Sequence, residues 1–310
     1  MPRKVLRFVN RKIAHLKSLF HAQLSKKSIL KMYLIEGTIN KDKHYSFRLK
    51  SSYPSFQSDF EKFKELIRNL LATQQSVSIY KFGDGDFFFL KGIEKGSAKP
   101  GKRAISHALS KIDLAKFNSG ANLCNFYTCE IYPENRTKFK EVINRNIDFP
   151  AEYQYALIAN KWLFKKLNYK IGIIGASEKL DLIEKLMQYP EYQKYLGIGK
   201  FFDYIRIPQK FACDNLEMRL IEIEQQLKNS KSELFLVGIG HLKSGVLHKM
   251  PSMKGAVFLD VGSGIDALAG IIDENRPYFG DWINYQIPKH FDYSKLDLLQ
   301  YEKNRVVNLD

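Results

Sequence analysis

Cysteine is scarce in this sequence: Cys124, Cys129 and Cys213 are all that its 310 residues contain. The number is odd and no pair has metal-ligand spacing, so neither a disulfide framework nor a zinc module is written here. Reduced, buried thiols in a cytoplasmic protein are the expectation. Long apolar runs are absent as well: no stretch reaches the roughly 18 uninterrupted apolar residues of a membrane-spanning helix. The opening segment MPRKVLRFVNRKIAHLKSLF is basic, but it interleaves charge with its apolar residues, unlike a secretory signal. The body of the chain lacks a basic stripe and any nucleic-acid-binding motif, so no nucleic-acid partner is expected. Internal repeats and low-complexity linkers are missing too.

What is present is uneven charge. The net charge is +16, and residues 1–50 hold 13 Lys and Arg against two acids, Glu36 and Asp42, a net of +11. In that arm Leu6, Val9, Ile13, Leu16, Phe20 and Leu24 recur at three- and four-residue intervals, with Arg7, Arg11, Lys12 and Lys17 off the stripe. Such a helix suits an anionic membrane surface, or docking on its own domain with the basic face in water. The expected division is a basic amphipathic arm over 1–50 and one α/β domain over 51–310. The expected location is cytoplasmic, with a peripheral place on the inner face of the cytoplasmic membrane if the arm binds lipid.

Beyond the arm, apolar periodicity predicts a helix over 56–71, with Phe56, Phe60, Phe63, Ile67, Leu70 and Leu71 on one face. Strands are predicted at 76–82, 122–127, 170–174, 202–207, 233–237 and 256–261. Helices are predicted from about 104, and over 133–146, 153–167, 178–189, 216–227 and 267–272. Alternation of strand, glycine turn and helix points to a Rossmann-like, largely parallel sheet with helices on both faces. Ligands of such sheets bind beyond the carboxyl ends of the strands.

Those ends carry the chemistry. Gly83-Asp84-Gly85-Asp86 follows a buried strand, and Asp84 and Asp86 are oxygen ligands suited to Mg²⁺ or Mn²⁺. The same pattern also caps helices. Gly175-Ala176-Ser177 and Gly240-His241-Leu242-Lys243 are turns able to set backbone N–H groups, Ser177, His241 and Lys243 against a phosphate. Neither is a P-loop. Asp260-Val261-Gly262-Ser263-Gly264 imitates the first motif of an S-adenosylmethionine-dependent methyltransferase. That motif opens its sheet, whereas only 46 residues follow Gly264 here.

Taken together, Tyr80-Lys81-Phe82-Gly83-Asp84-Gly85-Asp86 resembles the Arg-Phe-Gly-Asp-Gly-Glu stretch of glycosyltransferases with the GT-D fold. The strand end Leu236–Gly240 and the turn Leu259–Asp266 are similar to that family's late hydrophobic strand and aspartate-glycine motif. The resemblance spans roughly residues 56 to 285. Lys81 stands where the family usually has arginine, which removes bidentate contact with an anion. Asp86 replaces glutamate, one methylene shorter.

The resemblance implies a GT-D-like fold and metal-assisted transfer of a sugar from a nucleoside diphosphate sugar to a saccharide or glycolipid hydroxyl, as in surface polysaccharide synthesis. It implies a divalent ion on Asp84 and Asp86, with Gly83, Gly175, Ser177, Gly240 and Gly262 lining the donor. Lys81, Arg206 and Lys243 are candidate positive partners, although Arg206 equally suits a structural ion pair. Asp266 is the first candidate for the general base and His241 the second. Asp266 equally suits a helix cap, and Asp260 is expected to support its turn. Asn275–Trp282 has the aromatic and charged residues of a sugar-stacking lip or of a packed flap. A methyltransferase and a non-catalytic nucleotide-binding module are the alternatives.

Overall fold

The computed structural model describes residues 56–93, 112–130, 133–159, 161–209 and 211–269, with only the backbone given at Phe56, Gln57, Asp84 and Ala159. The basic arm, the helix predicted from about 104 and the Asn275–Trp282 segment lie outside them. Seven strands form one all-parallel sheet: β1 (Val77–Phe82), β2 (Phe126–Cys129), β3 (Phe149–Pro150), β4 (Ile171–Ala176), β5 (Tyr204–Ile207), β6 (Leu234–Gly238) and β7 (Val257–Asp260). Their order is β3-β2-β1-β7-β6-β4-β5. The expected α/β class with a parallel sheet is what the chain forms.

Alternating residues of the central strands feed two cores, one on each face, and this double burial is why the strands read as near-continuous apolar runs. Val77, Ile79, Leu234, Leu236, Val257 and Leu259 face the first core. That core packs α1 (Phe56–Ala72), α5 (Glu152–Ala159), α6 (Trp162–Lys165), α7 (Ser177–Leu186), α8 (Pro190–Leu196) and α12 (Gly264–Leu268). Tyr80, Phe82, Phe235, Val237 and Phe258 face the second core. There lie α2 (Asp84–Leu90), α3 (Leu114–Ala121), α4 (Pro133–Val142), α9 (Leu216–Lys228), α10 (Lys243–Val246) and α11 (Met250–Met253). Among the described residues no helix is long and apolar enough to cross a membrane.

Two differences from the predicted elements matter for the site. The single helix expected over 153–167 is broken by Lys161, whose φ of 57° is left-handed; the turn lets Trp162, Leu163 and Phe164 point inward. The Gly83–Asp86 turn opens a helix. Gly83 is the N-cap of α2, and the Asp86 carboxylate accepts its N–H at 2.8 Å, half of a capping box.

The connections set where a crevice opens. β1 leads through α2 and α3 to β2 on one side. β7 leads into α12, which lies on the opposite face against β6 and α7. Neighbouring strands with diverging connections leave a gap between their carboxyl ends. The β1–β7 ladder runs from Val77↔Val257 to Ile79↔Leu259, and beyond it side chains bridge the two strands.

Candidate active site

Lys81, two residues past that ladder, shows how the gap is bridged. Its N–H donates to Asp260 Oδ2 at 3.1 Å, and its carbonyl accepts from the Lys243 ammonium. Asp260, the last residue of β7, also accepts the Gly262 N–H at 2.9 Å, which fixes the following turn. Lys243 Nζ stands 2.8 Å from Asp260 Oδ2 and 2.9 Å from Asp86 Oδ2. It also lies 4.5 Å from the centroid of the Tyr80 ring. Asp86, Lys243 and Asp260 are all buried.

Buried charges persist only when paired. Burial pushes the Asp86 carboxyl up, but the Lys243 ammonium, the His241 ring and the Gly83 amide together hold it well below the usual carboxylate range. Burial pulls Lys243 down, and Asp260 and Asp86 outweigh it, so the ammonium keeps its proton above the usual lysine range. Lys81 lies on the other face, 4.9 Å from the centroid of the Tyr155 ring. Burial again works against its charge, while Tyr155, Asp260 and Glu130 raise its pKa overall. Asp86, Asp260, Lys81 and Lys243 thus form a buried set of two anions and two cations.

His241 is the partly exposed member, with 28% of its side chain accessible. Its ring stacks on Phe89 at 4.6 Å between centroids and 15° between planes. Nδ1 faces Asp86 Oδ1 at 3.8 Å, an electrostatic contact too long for a hydrogen bond. Gly85 lies alongside, where a Cβ would come within 3.3 Å of His241 Cε1. The turn before it contains Gly240, whose φ of 56° is left-handed and whose missing side chain would meet nothing within 4 Å.

The other predicted residues are placed differently. Gly175 packs under α12, since a Cβ there would lie 3.2 Å from Ile265 Cγ2. Ser177 donates its hydroxyl to the Ile207 carbonyl at 3.1 Å. Arg206, on edge strand β5, pairs with Asp181 at 2.9 Å and with Glu184. Asp266, within α12, pairs with Lys179. Gly262 has a φ of 51°, and a Cβ there would come 2.7 Å from Lys81 Cε. The space left by that glycine therefore holds the Lys81 stem. The crevice thus gathers Lys81, Gly83, Asp86, Gly240, His241, Lys243 and Gly262, whereas Arg206 and Asp266 are engaged in ion pairs with residues of α7. Phe89, which sequence reasoning passed over, belongs to the site; its only signal was the apolar run Phe87–Leu90 directly after the glycine turn.

The arrangement tests the expected metal site. Among the described residues no three His, Cys, Asp or Glu side chains gather as a metal-binding group. Asp86 Oδ2 is shared between an ammonium and an amide, which leaves it poorly suited to a divalent ion. Asp86 therefore does not fit the ligand role expected of it.

Fold and site define a doubly wound α/β protein with a charged crevice at the carboxyl ends of its central strands. No protein family model matches the chain, and no curated protein does. Among solved structures it is similar to one described as a new glycosyltransferase, of the domain of unknown function 1792, from Streptococcus sanguinis. The TM-score is 0.39 at 14% identity, over 64% of this chain and 79% of that one. A second similar structure is described as the highly conserved domain of unknown function 1792 with a distinct glycosyltransferase fold. There the TM-score is 0.41 at 13% identity, over 62% of this chain and 74% of the other.

Proposed function

We propose that this chain is a glycosyltransferase that moves a sugar from a nucleoside diphosphate sugar to a hydroxyl of a saccharide or glycolipid, with His241 as the general base. The observation that carries the reading is the seat of His241. It is a partly exposed imidazole at the carboxyl end of the sheet, stacked on Phe89 and backed at Nδ1 by a buried carboxylate. A base must reach solvent-borne substrate with its ring plane fixed, and stacking on Phe89 with Asp86 facing Nδ1 supports that role.

In the proposed step the acceptor oxygen attacks the anomeric carbon as its proton passes to Nε2 of His241. The bond from that carbon to the diphosphate oxygen breaks, and the diphosphate departs with the electron pair. Asp86 stabilises the imidazolium that forms. Backbone N–H groups of the Gly240–Leu242 turn favour the departing anion. If a divalent ion accompanies the donor, Asp84 is left as its protein contact, because Asp86 already serves Lys243. The basic arm would add contact with anionic lipid near a glycolipid acceptor; deleting residues 1–27 should then reduce sedimentation with anionic liposomes, and unchanged sedimentation refutes that part.

The testing experiment is a thermal-shift screen of nucleoside diphosphates and their sugars, followed by turnover with the donor that raises the melting temperature. Stabilisation by S-adenosylmethionine instead would overturn the reading in favour of a methyltransferase. Against that alternative stands the Gly262 turn, which is occupied by Lys81 rather than open to a cofactor. Binding without turnover of any acceptor would mean a nucleotide-binding module.

A further inference from the structure

The contacts of Lys243 have a geometry of their own. Its Nζ is surrounded by Asp86 Oδ2 at 2.9 Å, Asp260 Oδ2 at 2.8 Å and the carbonyl oxygen of Lys81. Two carboxylates and a backbone carbonyl form the all-oxygen donor set that a hard divalent cation takes. These oxygens come from three separate elements, α2, β7 and β1, and each is held independently of Lys243. Asp86 is fixed by the Gly83 amide, Asp260 by the amides of Lys81 and Gly262, and the carbonyl by its strand. The oxygen cage is therefore built by the fold, and the amine fills it.

We infer that Lys243 is the resident cation of this crevice: its ammonium occupies an oxygen site between Asp86 and Asp260 that would otherwise take a divalent metal, and so keeps such a metal off Asp86. Charge balance supports the substitution. Two carboxylates against the Lys81 and Lys243 ammoniums leave the buried set neutral, and a divalent ion added beside them would meet two like charges in a low-dielectric setting. Removing the Lys243 ammonium leaves the set one unit negative, with three oxygens converging on a cavity. The long lysine stem rises from α10, so the cation is covalently tethered and present whatever the metal supply. The inference concerns the same crevice as the proposed reaction but is independent of it, because metal binding is measured without donor or acceptor.

The experiment is a Mn²⁺ titration followed by electron paramagnetic resonance, on wild type, Asp86→Asn, Lys243→Ala and the double variant Lys243→Ala/Asp86→Asn. Wild type should take up no Mn²⁺ that depends on Asp86. Lys243→Ala should bind one Mn²⁺ at least ~10-fold tighter than wild type, as expected when a vacated oxygen cage gains its metal. The double variant should lose that gain, and Mn²⁺ should raise the melting temperature of Lys243→Ala but not of wild type. Stoichiometric Mn²⁺ binding by wild type that Asp86→Asn abolishes would overturn the inference. So would a folded Lys243→Ala protein that binds Mn²⁺ no better than wild type. Should Lys243→Ala not fold even with Mn²⁺, the comparison of wild type with Asp86→Asn decides alone. Wild-type binding that survives Asp86→Asn lies at another site and leaves the Lys243–Asp86 pairing as inferred.

Discussion

His241 lies flat on Phe89, ring on ring at 4.6 Å, so the plane of the imidazole is set by a residue of α2, while the histidine itself comes from the turn after β6. This contact holds the orientation of the proposed base. Replacing His241 by Ala should lower turnover by about 10²–10⁴-fold, the usual contribution of a general base, with donor affinity nearly unchanged. Phe89→Leu keeps apolar volume but loses the flat support; it should cost about ten-fold or more in turnover, since misplacement of a reacting group is expensive. Steady-state kinetics with the donor found by ligand screening checks both, and full activity in His241→Ala would remove the histidine from the mechanism.

Two glycines with similar left-handed backbone separate strain from crowding. Gly240→Ala places a Cβ in open space, so only the conformational cost of about 1–2 kcal/mol is expected. Gly262→Ala carries that cost and also presses on Lys81 Cε at 2.7 Å, and should be clearly more destabilising. Urea denaturation of the two variants side by side measures the difference. Equal losses would mean that the Lys81 stem yields freely.

Much of this fold was legible because doubly buried strands announce themselves as apolar runs, as Ile171–Ala176 and Leu234–Gly238 do. The glycines after them were harder to interpret. A glycine that admits a phosphate and a glycine that admits Ile265, as Gly175 does, have identical sequence signatures, and only the packing of α12 separates them. The aspartate pair posed a similar ambiguity. Gly83-Asp84-Gly85-Asp86 is compatible with a metal turn and with a helix start, and Asp86 was decided by Lys243, 157 positions later in the chain. The ion pairs of Arg206 and Asp266 were not legible in advance either, since their partners Asp181, Glu184 and Lys179 become neighbours only through the crossing of β5 and α12 against α7.

Asp266 and His241 compete for one role, and the ion pair with Lys179 decides the expectation. A carboxylate turned onto a neighbouring ammonium is not presented to an acceptor hydroxyl. Asp266→Asn should therefore leave turnover within a few-fold of wild type. Its stability should change by about 0–1 kcal/mol, the usual worth of a partly exposed pair. A loss as deep as that of His241→Ala would move the base to Asp266.

Lys161 offers a test by pH. Its left-handed turn buries much of the side chain, and burial, with the neighbouring Lys165 charge adding to it, lowers the amine to about 8. The Tyr195 ring, 3.5 Å from Nζ, favours the charged form and acts against that shift. Because the folded pKa lies below that of an unfolded lysine, about 10.4, the unfolded chain binds more protons between the two values. Below pH 8 the amine is charged in both states and its burial works against folding in full; as pH rises from 8 toward 10.4 that penalty fades. Stability should thus gain a rising component over this window, which Lys161→Met removes. Lys161→Met should also be more stable than wild type at pH 7. Denaturation curves from pH 7 to 10, with an NMR titration of the dimethylated lysines, check the sign: a Lys161 midpoint near 10.4 would show that the amine remains solvated.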